Sequence, residues 1–280
     1  MTSLQTDTYP HRIVCLTEET TETLYLLGEE RRIVGISGFT VRPARARREK
    51  PKVSAFISAK IDRIIELQPD LVLGFSDLQA DIAADLIRRG IGVHVFNHRD
   101  VAGIFTMIRV LGGMIGCEGR ARELCDRLSA GLDEIRSAAA QLPARPRVYF
   151  EEWDEPLIAG SRWVSELVQI AGGDEVFPQY AVQSLGKDRI IADPSEVVRV
   201  APDIIFGSWC GKKFRPEIVR AREGWQNVPA VRDAELHEIK SPIILQPGPA
   251  ALTDGVRAMH ERIASWCQRQ SVIPRSVTAT

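Results

Sequence analysis

A helix–Pro-Asp–strand segment that occurs twice constrains the fold of this chain more than any other feature of its sequence. The segment IDRIIELQPDLVLG (Ile61–Gly74) has a counterpart, SEVVRVAPDIIFG (Ser195–Gly207), in the second half of the chain. In each copy, apolar residues at helical spacing precede the Pro-Asp pair, and a short apolar run that ends in glycine follows it. The matching order and spacing predict a duplicated architecture of two lobes.

Short apolar runs alternate with stretches of helical periodicity along both halves, which predicts α/β lobes with mainly parallel, Rossmann-like sheets. Gly28, Gly90 and the pair Gly112 and Gly113 are expected to end helices in the left-handed conformation. The predicted strands are Arg12–Leu16, Ile33–Ser37, Leu71–Gly74, Val93–Phe96, Arg147–Glu152, Asp203–Gly207 and Leu236–Ile239. The predicted helices are Thr20–Leu27, Ile61–Leu67, Gln79–Arg89, Trp163–Ala171, Pro194–Val200, Pro216–Glu223 and Ala250–Gln268.

The segment between the two halves predicts one long helix. Glu118–Leu142 contains no proline and carries an apolar stripe that includes Leu124, Leu128 and Leu132. Such a helix would reach about 37 Å, whereas a flexible linker would be rich in Gly, Ser or Pro. We therefore predict two α/β lobes joined by a rigid helix: an N-terminal lobe over 1–116, the bridging helix over 117–143, and a C-terminal lobe over 144–280.

Composition and charge exclude several classes of protein. The chain has 280 residues with 36 basic and 37 acidic side chains, a net charge of −1, so a nucleic-acid partner is not expected. No apolar run approaches the roughly 20 residues of a membrane span, so membrane insertion is not expected either. The first residues, MTSLQTDTYPHR, lack the apolar segment of a secretory signal. We expect a cytoplasmic protein and a monomer; the alternative is a periplasmic protein whose leader has been removed.

Aromatic side chains follow several of the predicted strands. Two facing lobes would form a cleft, and ligands bind beyond the carboxyl ends of parallel strands. Any one of these rings could instead pack in a core, but together they suit a large, flat ligand. The aromatic residues at strand ends or in the adjoining loops are Phe39, Phe56, Phe75, Trp153 and Trp209.

The same segments resemble a known family. The order GISGFT, VSAF and PDLVLGF, then the long helix, then PDIIFG, resembles class III (helical-backbone) substrate-binding proteins of ABC importers for cobalamin and ferric siderophores. The similarity extends over Arg12–Gln268, and IAGSRWVSELVQIAGG resembles a second-lobe segment of the family. The cobalamin binders resemble the chain most, which implies that Phe39, Phe56 and Phe75 surround a corrin ring. The resemblance also implies non-covalent capture of the ligand between lobes that close only slightly.

The resemblance further implies docking on an ABC permease. Members of the family usually carry an exposed Glu on each lobe, seven residues before the Pro of Pro-Asp. In this chain that offset gives Asp62 in the first lobe and Ser195 in the second, where Glu196 follows directly. An ABC permease is thus a possible partner through Asp62 and Glu196, and an intracellular carrier is the alternative because no leader is visible.

Motifs for metal binding or catalysis are absent from the sequence. The histidines show no His-x-x-x-His or His-Glu-x-x-His spacing, so no metal site is predicted. His98, just past a predicted strand, could donate a hydrogen bond or ligate a corrinoid cobalt or haem iron. No Walker A, Gly-x-Gly-x-x-Gly or Gly-x-Ser-x-Gly motif follows a strand, so we expect no catalytic residues and no catalytic cofactor.

Charged side chains near the predicted strand ends supply polar candidates. Glu151–Glu155 surrounds Trp153 with carboxylates that could accept hydrogen bonds from corrinoid amides, or could lie in a solvated loop. The basic segment Arg42–Lys52 is expected to be a solvated loop that could attract an anionic ligand. Lys240 precedes the last predicted helix and is expected in the wall of the second lobe.

These observations predict non-catalytic binding of a corrinoid small molecule, with cobalamin as the expected ligand, by a substrate-binding protein or intracellular carrier. One alternative is a ferric-siderophore or haem binder that relies on Arg42, Arg45 and Lys240. Another is an enzyme or chelatase-like protein on a related two-lobe scaffold. The predicted ligand-binding residues are Phe39, Phe56, Phe75, Trp153, Trp209, Glu152, Asp154, His98 and Lys240.

Overall fold

The computed structural model describes residues 9–272, in which the chain divides into two units. The first unit runs to His98 and resumes with Ala102–Arg127. The second takes Arg99–Val101 and everything described from Leu128 onward. Within the part of the chain that the structure describes, no helix is both long enough and apolar enough to cross a membrane.

The first unit is built on a six-stranded sheet in the order β4-β3-β2-β1-β5-β6. Neighbouring strands are parallel except for the short β3–β4 pair. The strands are β1 (Ile13–Cys15), β2 (Ile33–Ser37), β3 (Lys52–Ala55), β4 (Ser58–Ala59), β5 (Leu71–Phe75) and β6 (Val93–Phe96). The helices that follow them are α1 (Glu18–Leu26), α2 (Ala46–Glu49), α3 (Ile61–Glu66), α4 (Ala80–Arg88) and α5 (Val101–Met114).

Strands β1 and β5 are neighbours in the interior of this sheet and are buried along their whole length. Both are continuous apolar runs, as expected for parallel strands that are covered on two faces. Val14 and Val72, from these two strands, pack with Ile64 of α3 and Leu86 of α4 in one apolar cluster. The central strands are therefore fixed by side-chain packing, which sets the position of the loops at their carboxyl ends.

The predicted long helix is α6 (Glu118–Ala140), and the boundary between the two units falls inside it, after Arg127. Gly112 and Gly113 do not end a helix as predicted, because α5 continues through both to Met114. A Cβ atom at Gly112 would collide with the Cβ of Ala121 in α6, so this glycine allows the two helices to approach closely. Gly116, with φ of +70°, makes the turn between them.

The second unit has a five-stranded sheet in the order β11-β10-β7-β8, with β9 also paired to β7. All pairs are parallel except β7–β8. Its strands are β7 (Arg147–Asp154), β8 (Leu157–Ala159), β9 (Asp174–Glu175), β10 (Ile204–Gly207) and β11 (Leu236–Glu238). Its helices are α7 (Arg162–Ala171), α8 (Pro178–Ala181), α9 (Ser195–Val200), α10 (Pro216–Arg220), α11 (Pro229–Arg232), α12 (Ser241–Ile244) and α13 (Val256–Val272), the last preceded by a π-helical segment, Ala251–Gly255. The predicted fold class, two α/β lobes with mainly parallel sheets and a connecting helix, is confirmed.

The two Pro-Asp segments occupy corresponding places in the two sheets. β5 pairs with β1 and β10 pairs with β7, in parallel in both units. The carboxylate of Asp70 accepts a hydrogen bond of 2.9 Å from the backbone N–H of Arg12, at the start of β1. The carboxylate of Asp203 accepts one of 2.8 Å from the backbone N–H of Arg147, at the start of β7. The aspartate of the repeat thus joins the same two strands in each unit.

Candidate functional site

The carboxyl ends of five parallel strands, β3, β2, β1, β5 and β6, lie at one edge of the first sheet. Four predicted ligand-binding residues follow these strands. Phe56 comes directly after β3, Phe39 lies two residues after β2, Phe75 is the last residue of β5, and His98 lies two residues after β6. The fold of the first unit therefore brings all four to the same edge, which we call the first edge.

The four side chains at the first edge differ in exposure. Phe39 is 54% exposed, Phe56 and His98 are half-buried, and Phe75 is only 5% exposed. The rings of Phe75 and His98 meet edge to face with 5.2 Å between their centroids, and the ring of Phe96 lies 6.2 Å from His98. Phe39 is exposed enough for its ring face to contact a ligand, whereas the rings of Phe75 and His98 pack against each other.

Gln79, which was predicted only as the first residue of a helix, connects two of these loops. Its side chain is buried, accepts a hydrogen bond of 2.9 Å from the backbone N–H of Phe75, and donates one of 2.8 Å to the carbonyl of Phe56. Gly74 makes room for this amide, because a Cβ there would lie 2.9 Å from the Gln79 oxygen. Ser76 between them has φ of +69°, a strained value for a residue with a side chain.

Buried carboxylates, which are not among the predicted site residues, also follow β1. Glu18 and Glu19 lie in the first turn of α1 and are 9% and 1% exposed. Burial raises the pKa of Glu18 to about 7 and that of Glu19 to about 8. The hydroxyl of Thr17 donates a hydrogen bond of 2.5 Å to Glu19. The available signal was the acidic segment TEETTE, which directly follows the first predicted strand.

The basic segment Arg42–Lys52 is largely exposed, as expected, but it is not an irregular loop throughout. It contains α2 and the first residue of β3, and two of its guanidinium groups contact neighbouring side chains. Arg42 lies 2.9 Å from a carboxylate oxygen of Glu22, and Arg45 lies 2.9 Å from one of Glu30. The Arg45 guanidinium also stacks 4.8 Å from the ring centre of Tyr25. These contacts are intramolecular and fold the segment onto α1 and the turn before β2.

In the second unit, the carboxyl end of β7 holds two carboxylates, and each accepts two hydrogen bonds from an arginine. Glu151 is fully buried and accepts bonds of 2.5 and 2.9 Å from Arg222 and one of 3.0 Å from the indole N–H of Trp209. Glu152 accepts bonds of 2.7 and 2.8 Å from Arg189. Such bidentate pairs fix both partners in position. The predicted residue Glu152 is thus already engaged by the protein itself.

The two predicted tryptophans of the second unit share one lysine. The ammonium nitrogen of Lys212 lies 4.3 Å from the ring centre of Trp153, 5.0 Å from that of Trp209, and 2.5 Å from a carboxylate oxygen of Asp154. Trp153 is half-buried, whereas Trp209 is 2% exposed. Lys212, which sequence analysis missed, therefore covers part of the Trp153 ring, while Asp154 holds the ammonium in place.

A pocket of about 380 Å³ lies at the carboxyl ends of β10 and β11 in the second unit. Trp209 and the predicted residue Lys240 both line it. Its other lining residues are Gly211, Lys212, Lys213, Glu238, Ile239, Ser241 and Pro242. The structure thus places Trp153, Trp209, Asp154 and Lys240 around one small region of the second unit, which we call the lysine pocket.

The two residues predicted to dock on a permease have different surroundings. Asp62 lies in α3, is exposed, and has an ion pair of 3.3 Å with Arg89. Glu196 lies in the first turn of α9, is half-buried, and accepts a hydrogen bond of 3.3 Å from the hydroxyl of Tyr180. Asp62 is consequently the more accessible of the two carboxylates.

The five cysteines are free thiols, and all except Cys210 are buried. Burial raises the pKa of Cys15 to about 12, so this thiol stays protonated. Within residues 9–272, no group of three or more His, Cys, Asp or Glu side chains could hold a metal ion.

Comparison with known proteins gives one family and several relatives. The family model described as periplasmic binding protein matches residues 13–242. A cobalamin-binding protein of Halobacterium salinarum is 25% identical over 262 residues, which cover 88% of this chain and 69% of the relative. The structure of the periplasmic vitamin B12 binding protein BtuF of Vibrio cholerae aligns with a TM-score of 0.72 at 18% identity, covering 94% of this chain and 99% of that one. The periplasmic heme-binding protein RhuT from Roseiflexus sp. RS-1 aligns with a TM-score of 0.76 at 20% identity, covering 90% and 99%.

Proposed function

This chain belongs to the periplasmic binding protein family, and we propose that it is a substrate-binding protein that captures a corrinoid, with cobalamin as the ligand, and performs no chemistry on it. The observation that carries the proposal is the aromatic first edge, where Phe39, Phe56, Phe75 and His98 follow neighbouring parallel strands. The name of the Halobacterium relative, a cobalamin-binding protein, supports the same ligand class.

The first edge has the physical properties that a corrin ring requires. A corrin is broad and nearly flat, with apolar faces and a rim of amide side chains. An aromatic ring provides a large apolar contact and loses little rotamer entropy on binding. Phe39, at 54% exposure, contributes an accessible ring, and Gln79 fixes the backbone from which Phe56 and Phe75 project. We propose that Phe39 makes the principal stacking contact.

The transport role is a separate part of the proposal. Substrate-binding proteins deliver their ligand to an ABC permease, and the exposed Asp62 would be the docking carboxylate of the first unit. Glu196 would serve in the second unit if the hydroxyl of Tyr180 released it. A carrier inside the cell would bind the same ligand without needing either carboxylate, so charge-reversal variants of Asp62 in a transport assay separate the two roles.

The ligand is tested by mixing the purified protein with cyanocobalamin, haemin or a ferric catecholate siderophore and then desalting each mixture. We expect corrin absorbance to be retained at one equivalent per chain. Retention of haemin or of the siderophore alone would replace cobalamin by that ligand. Retention of none of the three would overturn the proposed function.

The stacking contact is tested by Phe39→Ala, because this side chain is exposed and its removal leaves the core intact. We expect the affinity for cobalamin to fall by roughly 1–3 kcal/mol in a calorimetric titration. Ile87→Ala, which truncates an exposed apolar side chain on α4, is the matched control and should bind normally. Equal affinity of Phe39→Ala and the parent protein would remove Phe39 from the site.

Haem is the second candidate because His98 lies among the aromatic residues of the first edge. An imidazole is a common axial ligand of haem iron, and the ring of His98 is oriented by its edge-to-face contacts with Phe75 and Phe96. Haem ligation by this residue predicts a Soret band that changes in position when His98→Ala is loaded. A spectrum that is identical in the two proteins would exclude His98 as the iron ligand.

A further inference from the structure

The lysine pocket carries a local excess of positive charge that the chain as a whole does not have. Three lysines line it, Lys212, Lys213 and Lys240, against the carboxylate of Glu238 in the lining and that of Asp154, which pairs with Lys212, so one positive charge remains in excess. The whole chain, by contrast, has a net charge of −1. Cations that surround a concave surface reinforce one another's field and favour an anion inside it.

The single carboxylate among the lining residues has a partner of its own. An oxygen of Glu238 accepts a hydrogen bond of 3.1 Å from the backbone N–H of Phe214, the residue that follows the Lys212–Lys213 pair. This bond connects the end of β11 to the loop after β10. Glu238 therefore shapes the wall of the pocket as well as contributing charge to it.

One of the three cations is already oriented. The ammonium of Lys212 lies over the rings of Trp153 and Trp209 and next to the carboxylate of Asp154. A lysine ammonium has three N–H donors, so one ion pair leaves donors for a further acceptor. Because the side chain is held before a ligand arrives, less entropy is lost on binding than for a mobile surface lysine.

From these features we infer that the lysine pocket binds an anionic oxygen group of the ligand, a phosphodiester or a carboxylate, through Lys212, Lys213 and Lys240. The inference rests on the proposed function, since it takes the anionic group from the ligands proposed there. Cobalamin carries one phosphodiester, in its nucleotide loop, and haem carries two carboxylates. The pocket volume of about 380 Å³ is sufficient for either group with its immediate attachment.

The source of the anion is resolved by two pairs of ligands in calorimetric titrations. Cobinamide has the corrin ring of cobalamin without its phosphodiester, and haemin dimethyl ester has the haem ring without its carboxylates. Lys213→Met combined with Lys240→Met removes two exposed lining cations without disturbing the tryptophans. We expect this variant to lose about 3- to 10-fold in affinity for the member of each pair that carries the anionic group. Its affinity for the analogue that lacks this group should be unchanged.

A matched control and a second variant make these results specific. Lys52→Met removes an exposed lysine at the start of β3 in the first unit, and it should bind both members of a pair like the parent protein. Lys212→Met removes the oriented cation. It should lower the affinity for the ligand that carries the anionic group more than Lys213→Met or Lys240→Met does alone. Equal losses for the anionic ligand and its neutral analogue, or no loss in either lysine variant, would overturn the inference.

A simple anion tests the pocket even if none of the large ligands binds. In a titration with inorganic pyrophosphate followed by NMR, we expect the indole N–H signals of Trp153 and Trp209 to shift and saturate. In Lys212→Met the shifts should be at least several-fold weaker, whereas Lys52→Met should behave like the parent. Failure of cobalamin and haem binding with an intact pyrophosphate response would overturn the proposed function alone. The absence of a saturable response would overturn the lysine pocket.

Discussion

Strands β1 and β7 hold corresponding places in the two units, and acidic residues lie in the helix turn after β1 and at the carboxyl end of β7, yet the units accommodate these carboxylates in opposite ways. After β1, burial raises the pKa values of Glu18 and Glu19 to about 7 and 8, so protonation removes their charge near neutral pH. At the end of β7, Glu151 and Glu152 are paired with arginines. Carboxyl groups near the ends of corresponding strands thus favour the protonated form in one unit and form ion pairs in the other.

The loops beside these strands follow the same division. In the first unit the neutral amide of Gln79 joins the loops of β3 and β5. In the second unit the guanidinium of Arg189 also donates to the carbonyl of Ala159, so it joins β7 to β8. The first edge therefore holds carboxyl groups that favour the protonated form and a neutral amide, whereas the end of β7 holds ion pairs, so the two strand ends should respond differently to mutation and to pH.

The largest expected effect is the loss of the buried pair in the second unit. Arg222→Leu leaves the fully buried Glu151 without its cation, and we expect the free energy of unfolding to fall by about 3–5 kcal/mol in urea denaturation. Replacing Glu151 by Leu as well should restore part of the loss, because the uncompensated charge is removed. Arg215→Leu, which breaks an exposed pair, is the control and should change little. A small effect of Arg222→Leu would contradict the ionic description of this unit.

A smaller loss of stability is expected when the side-chain amide of Gln79, which joins two loops of the first unit, is removed. Gln79→Leu leaves the backbone N–H of Phe75 and the carbonyl of Phe56 without their partner, which should cost about 1–3 kcal/mol. Hydrogen exchange should report faster opening at the Phe75 N–H. Gln79→Glu keeps an acceptor for that N–H, so slow exchange there should be partly retained. Gln141→Leu, at an exposed position after α6, should leave both quantities unchanged.

The pH dependence of stability should distinguish the two units next. The pKa of Glu19 is raised in the folded state, so the folded protein binds this proton more tightly than the unfolded chain does. Its contribution to stability is present below the ordinary glutamate pKa and is lost as pH rises towards about 8. We expect a lower melting temperature at pH 8 than at pH 5, and Glu19→Gln should reduce that difference by a few degrees.

Two other buried carboxylates should preserve part of the pH dependence of the melting temperature in Glu19→Gln. Glu18, and Glu175 in the second unit, have pKa values raised to about 7 by burial, and both should still titrate in Glu19→Gln. A melting temperature that is independent of pH between 5 and 8 in the parent protein would contradict the neutral description of the first edge.

The contrast between the units also shows what the sequence could predict. The apolar runs of β1 and β5 identified the central strands to within a residue or two, because burial on both faces leaves a continuous signal. Short strands such as β3 and β8 have no such signal, since the first begins with Lys52 and the second pairs antiparallel with β7. Pairing with β8 also explains why β7 extends beyond its predicted end to Asp154.

The candidate site was predictable in the same unequal way. Aromatic residues after strands could be found because topology alone brings strand ends to one edge, which placed Phe39 and Phe75 correctly with respect to β2 and β5. The partners of Glu151 and Glu152 could not be found in this way, because Arg222 and Arg189 lie 71 and 37 residues away along the chain. Tertiary packing decides whether a carboxylate near a strand end pairs with an arginine or is protonated, and the local sequence pattern does not predict that packing.

The smallest expected effect tests the one feature that the two units share most closely. The residue before each Pro-Asp pair has a left-handed backbone, with φ of 46° at Gln68 and 43° at Ala201. A side chain is disfavoured there by about 1 kcal/mol, and glycine recovers most of this cost at some expense of unfolded-chain entropy. We expect Gln68→Gly and Ala201→Gly each to stabilise the protein by about 0.5 kcal/mol, whereas Gln68→Ala, which keeps the Cβ, should not. Stabilisation by glycine at only one of the two sites would show that the left-handed conformation has a different energetic cost in the two units. The two units would then differ within the repeated segment as well.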